Sequence, residues 1–242
     1  MQRVLIIGAT SAIAEAAARR FAARGAAIHL LGRQHARLQA IADDLGTRGA
    51  RVSIGILDVN DVDEHGQALD AAWTELGGVD VALIAHGTLP DQDACDASVD
   101  LALREFETNG TATIALCAAL AQRLRAGSTL TAISSVAGDR GRASNYLYGS
   151  AKAAVSAYLS GLGQRLRPSG INVLTVKPGF VDTPMTASFQ KGPLWATPDR
   201  VGRGIVRAID RRKAVVYLPA FWWAIMYVIR AIPEPIFRRI RL

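Results

Sequence analysis

With 242 residues, half of them hydrophobic, the chain is long enough for one substantial core and falls where an α/β fold stays undivided, so a single domain over residues 1–242 is expected. The net charge of +7 invites an anionic partner, yet no nucleic-acid-binding module or basic recognition helix is present, so nucleic acid is not an expected partner. Cys95 and Cys117 are the only cysteines and no secretory segment precedes the first apolar run, which argues for two buried thiols in a reducing, cytoplasmic compartment; no metal site is expected.

Strand-like runs at residues 4–7, 27–31, 52–57, 79–84, 129–133, 173–176 and 215–218 alternate with helix-length segments, the pattern of a doubly wound parallel sheet of about seven strands. The first run leads into Gly8-Ala9-Thr10-Ser11 and then into Ala12, Ile13 and Ala14 of a small-residue helix. That order turns backbone N–H groups and the positive end of a helix dipole toward a pyrophosphate, so Gly8, Thr10, Ser11, Ala12 and Ile13 are candidate dinucleotide contacts. After the second run an acid would hold the ribose 2′-hydroxyl of NAD, but the chain reads Leu30-Leu31-Gly32-Arg33 with no acid until Asp43. Arg33 suits a 2′-phosphate, so NADP(H) is the expected cofactor over NAD(H); the alternative is a solvated cation at a helix start.

The fifth run ends at Ser135, thirteen residues before Tyr148, which stands four residues before Lys152. Four residues are about one helical turn, so Tyr148 and Lys152 project from one face and meet at one site. A free phenol titrates near pH 10, and an ammonium close by favours the phenolate, so Lys152 is expected to tune Tyr148 as proton donor. Ser135 would offer its hydroxyl to a carbonyl oxygen, and the trio reads as carbonyl and alcohol redox chemistry. Residues 183–198, with three prolines, read as a mobile flap over the substrate.

In this order of signals the chain resembles the short-chain dehydrogenase/reductase family along essentially its whole length. The family's Gly-x-x-x-Gly-x-Gly motif reads Gly8, Ala12 and Ala14, which places methyl groups where the cofactor approaches the backbone. The resemblance implies that Asp58, followed by Val59, contacts the adenine, and that Asn109 holds a proton-relay water. It also implies that Pro178, Gly179, Val181 and Thr183 face the nicotinamide, together with Tyr148 and Lys152. Ile84-Ala85-His86-Gly87 replaces the family's Asn-Asn-Ala-Gly stretch, so His86 either lines the substrate site beside Ser135 and Tyr148 or fills a satisfied structural role. A homodimer or homotetramer is expected.

Residues 214–242 comprise the last strand and an apolar tail with Phe221, Trp222, Trp223 and Tyr227. With Gly8-Ala9-Thr10-Ser11, Ser134-Ser135-Val136-Ala137-Gly138 and Arg142-Ala143-Ser144-Asn145-Tyr146, this tail resembles the decaprenylphosphoryl-2-keto-erythropentose reductase branch. That branch implies reduction of the 2-keto group of a polyprenyl-phosphate-linked pentose to lipid-linked arabinose, in sequence with a flavin-dependent oxidase. The uncharged run 214–229 is too short for a membrane span and is broken by Pro219. Arg200, Arg203, Arg207, Arg211, Arg212, Lys213, Arg230, Arg238, Arg239 and Arg241 frame it, so a helix lying on the inner membrane face is expected, with an oligomer interface as the alternative. Other functions compatible with the residues are reduction of another bulky hydrophobic ketone, or cofactor sensing without turnover.

Overall fold

The central strands are short, mostly aliphatic runs buried on both faces, whereas the two edge strands are partly exposed. In the computed structural model, which describes residues 1–240, seven parallel strands form one sheet: β1 Arg3–Ile7, β2 Ala27–Gly32, β3 Arg51–Ile56, β4 Val81–Ile84, β5 Thr129–Ile133, β6 Asn172–Pro178 and β7 Val215–Leu218. Their order is β3-β2-β1-β4-β5-β6-β7. The expected strands are all present; the largest shifts are two residues, at the start of β4 and at the end of β6, which runs on to Pro178 and pairs there with Leu218.

Successive residues of β1 serve opposite cores. Val4 and Ile6 pack with Phe21, Leu38 and Ile205, which belong to α1 (Ala12–Ala22), α2 (His35–Thr47) and α8 (Pro198–Asp210). Leu5 and Ile7 pack with Leu69, Leu116 and Val155, from α3 (His65–Leu76), α6 (Ala112–Ala121) and α7 (Tyr146–Leu166). The strand order reverses between β1 and β4, which opens a crevice at the carboxyl ends of the strands, where open α/β sheets bind ligands.

Two short helices, α4 (Gln92–Ala97) and α5 (Val99–Phe106), precede a π-helical turn over Glu107–Thr111. Cys95 and Cys117 are buried and free, and burial pushes the Cys117 thiol up to about 12.

The tail folds back as α9 (Phe221–Ala231) and α10 (Glu234–Phe237). Trp222 and Met226 are buried against Val136, while Trp223, Tyr227 and Val228 on the opposite face are each about 60% exposed. The expected aromatic surface is therefore divided: Trp222 belongs to the body and is not free to enter lipid. The expected basic frame is divided too. Arg212 donates to the carbonyls of Gly127 and Gly170 at the amino-terminal edge of the sheet, away from the crevice. Arg203 pairs with Asp199, and Arg238 with Glu234. Arg241 lies outside the described residues. No helix of the described residues is long and apolar enough to cross a membrane.

Candidate active site

The crevice begins at the turn after β1. Gly8 has φ of 76°, and a Cβ there would stand 2.4 Å from the backbone nitrogen of His86, so a side chain would be both strained and without room. Ser11 stands at the N-cap of α1 without a side-chain capping bond, which leaves the first helical N–H groups free for an outside acceptor. Gly8, Thr10, Ser11, Ala12, Ile13, Arg33, Asp58, Val59 and Thr183 line one groove of about 300 Å³. Of the two alanines in the glycine motif, Ala12 lines this groove, but Ala14 is fully buried among the core residues. Only the Ala12 methyl therefore stands where the cofactor would approach.

Arg33 Nη1 lies 3.7 Å from Asp58 Oδ2, an exposed and weak pair. Arg37 lines the same groove and reaches the carbonyl of Thr10 at 3.4 Å. The sequence reading missed Arg37, although its position one turn after Arg33 was a usable signal.

Ala85, His86, Gly87 and Thr88 are shared between this groove and a deeper cavity of about 360 Å³. Ser135, Tyr148, Lys152, Pro178, Gly179 and Val181 line that cavity. Ser135 caps a short 3-10 turn, Val136–Asp139, and its Oγ accepts from the N–H of Ala137 at 3.0 Å. That turn lies directly on the first turn of α7: a Cβ on Gly138 would stand 2.7 Å from the Ala153 nitrogen, and one on Gly149 would stand 2.9 Å from the Ala137 oxygen. The two glycines let the backbones close up, which brings Ser135 and Tyr148 to the same cavity.

Lys152 Nζ lies 5.6 Å from the centroid of the Tyr148 ring and donates to the Ile133 carbonyl at 3.3 Å. The expectation that Lys152 draws Tyr148 toward phenolate does not describe this state. Burial pushes Tyr148 up to about 12, only partly opposed by the nearby Ser135 hydroxyl, and burial brings Lys152 down to about 8. Tyr148 is thus a protonated phenol at neutral pH, suited to donate.

Asn109 stands behind the cavity wall rather than in it. It is fully buried on the π-helical turn, where Oδ1 accepts from the Thr88 N–H at 3.0 Å and Nδ2 donates to Thr88 Oγ1 at 2.7 Å and to the Glu105 carbonyl at 3.0 Å. Its contacts brace the Gly87-Thr88 wall. A helical register break of this kind often marks a functional site.

His86 stands at the cavity wall and is only half satisfied. It lines the cavity, its Nε2 lies 3.1 Å from Thr113 Oγ1, and its buried Nδ1 has no partner. Burial, with Lys152 and His65 adding to it, holds its pKa down at about 3, so it is neutral.

The outer wall is built from the flap and the tail. Phe180 stacks on Trp195 at 5.4 Å and meets Trp222 edge-on at 5.3 Å. Trp222 covers Gly179 so closely that a Cβ there would fall 1.9 Å from its indole nitrogen. Behind it, Asp139 holds Lys177 Nζ at 2.5 Å and Tyr217 Oη at 2.7 Å. Arg140 donates to the Ile229 and Ile232 carbonyls at 2.7 and 2.6 Å and lies 3.7 Å over the Phe237 ring, which fastens the tail beside the Ser135 turn. Asp139, Arg140 and Lys177 carry no motif and were not anticipated.

Comparison with known proteins agrees with this geometry. The family model described as short chain dehydrogenase matches residues 2–193. An uncharacterized oxidoreductase of Streptomyces coelicolor is 37% identical over 242 residues, covering 98% of this chain and 95% of the relative. One from Mycobacterium tuberculosis H37Rv is 36% identical over 242 residues, with 98% and 96% covered. Among solved structures, an actinorhodin polyketide ketoreductase variant with NADPH has a TM-score of 0.78 at 22% identity, covering 88% of this chain and 94% of the other. A short chain dehydrogenase from Burkholderia cenocepacia in complex with NADP has a TM-score of 0.80 at 24% identity, with 88% and 94% covered; at such identities the likeness is one of fold. On the family match, the near-full-length relatives and the assembled Ser135, Tyr148 and Lys152, the chain is an oxidoreductase belonging to the short-chain dehydrogenase family.

Proposed function

We propose that the protein is an NADPH-dependent ketoreductase that converts a bulky, hydrophobic ketone to a secondary alcohol. The observation that carries this reading is the convergence of Ser135, Tyr148 and Lys152 on one cavity that continues into the groove at the start of α1. The residues present suit the cofactor. The open N-terminus of α1 would take the pyrophosphate through Thr10, Ser11, Ala12 and Ile13, and Arg33 with Arg37 would take a 2′-phosphate. Asp58 and Val59 would border the adenine, and Pro178 through Thr183 the nicotinamide. Solved structures of similar fold carry NADP or NADPH, in keeping with this choice.

The bound cofactor supplies a hydride to the carbonyl carbon. Ser135 donates a hydrogen bond to the carbonyl oxygen, Tyr148 gives that oxygen its proton, and the Lys152 ammonium offsets the charge left on the tyrosine. Asn109 acts through Thr88 as a positioning residue.

Leu89, Pro90, Met185, Phe189 and Trp195 make the outer cavity apolar, and Trp223 and Tyr227 extend an apolar surface over the tail. These features support a lipid-linked substrate, for which a polyprenyl-phosphate-linked 2-keto pentose is the specific candidate, met by a cytoplasmic enzyme docked on the inner membrane face. Loss of NADPH absorbance with that substrate and a panel of bulky ketones tests the reading. Tyr148→Phe should keep NADPH binding while turnover falls by about a hundredfold or more. Turnover in the variant close to that of the parent would remove Tyr148 from the mechanism.

A further inference from the structure

The inner cavity is electrically one-sided. Lys152 and Arg142 line it, and among the described residues no aspartate or glutamate does. Arg142 precedes α7 in the loop that Arg140 fastens to the tail, and the guanidinium is sunk far enough that burial draws its pKa down. No carboxylate among the described residues pairs with it, and its buried Nε has no hydrogen-bond partner. Asn145, one turn further on, presents a buried Oδ1 that also lacks a partner. A partly buried guanidinium without a counter-charge and a buried acceptor without a donor are each costly. Both costs fall when a ligand brings an anionic oxygen to Arg142 and a hydroxyl to Asn145.

The cofactor phosphates do not meet this need, because Arg142 and Asn145 line the inner cavity and not the groove at α1. We infer that Arg142 is the specificity-determining residue for an anionic head group on the ketone itself, a phosphate or a carboxylate, with Asn145 accepting from a neighbouring hydroxyl. This inference rests on the ketoreductase reading for what happens to the ketone, but not for the anion site.

Titration calorimetry with NADP⁺ saturating the groove tests the site through phenyl phosphate, phenylacetate and their neutral counterpart phenol. A charge-assisted hydrogen bond predicts that the parent protein binds the anions about tenfold to a hundredfold more tightly than phenol. Arg142→Gln should lose that preference while still binding phenol, and Arg142→Lys should recover part of it. Binding of phosphate alone, or of carboxylate alone, identifies which anion the site takes. Equal binding of charged and neutral probes by the parent, or an undiminished preference in folded Arg142→Gln, would overturn the inference. Should Arg142→Gln fail to fold, the comparison in the parent and in Arg142→Lys still decides. The two readings fail separately: anion preference without any NADPH-dependent ketone reduction sinks the ketoreductase, whereas reduction with no preference for charged ketones sinks the anion site.

Discussion

Lys152 and Tyr148 are both displaced from their ordinary titration ranges by the same cause, and the displacements suit reduction. Burial brings Lys152 down to about 8 and takes Tyr148 up to about 12, so at neutral pH one is an ammonium and the other a phenol. As pH rises through about 8 the ammonium is lost and can no longer offset the charge formed when Tyr148 gives up its proton. Ketone reduction should therefore fall along an alkaline limb centred near pH 8, while alcohol oxidation, which needs the deprotonated tyrosine, should gain with pH. A kcat profile for reduction that stays flat well past pH 8 would contradict this. Cofactor choice is likewise decided by single side chains. Arg33 and Arg37 both border the groove, so Arg33→Ala should lower the kcat/KM preference for NADPH over NADH by about tenfold, and Arg33→Ala with Arg37→Ala should nearly abolish it. Better kcat/KM with NADH in the parent would rule the assignment out. Ser135, Tyr148, Lys152 and Arg33 were readable because each carries its chemistry in a spacing or at a strand end. Arg142 entered the sequence reading only within a resembling stretch, since an arginine in a loop is ordinarily solvated and its place at the cavity is visible only in the fold.

The tail helix α9 has two apolar faces with different work. Trp222 and Met226 pack on Val136, next to Ser135, whereas Trp223 and Tyr227 stack on each other at 5.7 Å on the outside. Trp222→Ala should cost about 3–5 kcal/mol of stability and impair turnover on every ketone, because it uncovers Gly179 and loosens the Ser135 turn. Trp223→Ala with Tyr227→Ala should leave stability and turnover on soluble ketones near the parent values, yet reduce co-sedimentation with anionic vesicles. Part of that vesicle binding should fade at high salt, as headgroup attraction is screened. Unchanged vesicle binding together with loss of self-association in sedimentation velocity would reassign the outer face to a sister subunit. The crowding of aromatic residues was plain in the sequence; which of them face inward was not. Trp222 and Trp223 are neighbours, and a helix sends neighbours to different sides.

Across the whole molecule, a buried carboxylate joins the active-site turn to the last two strands of the sheet. Asp139 is 2% exposed and binds both Lys177 of β6 and Tyr217 of β7, tying the catalytic turn to the end of the sheet. Asp139→Ala would leave the Lys177 ammonium, itself only 12% exposed, without its counter-charge, and should lower unfolding free energy in urea by about 3–5 kcal/mol. A loss below about 1 kcal/mol, the level of an exposed pair, would show that the network is not structural. The seven strands, their parallel arrangement and the order of the cofactor and redox motifs follow from local patterns, namely apolar runs, a glycine turn and a one-turn spacing. Those patterns are short-range, and they survive any rearrangement of distant segments. The inward turn of Trp222, the bracing of Thr88 by Asn109, the rise of the Tyr148 pKa and the positive inner cavity all depend on residues far apart in the chain. Burial and dielectric are properties of the packed neighbourhood, so only the tertiary structure decided them.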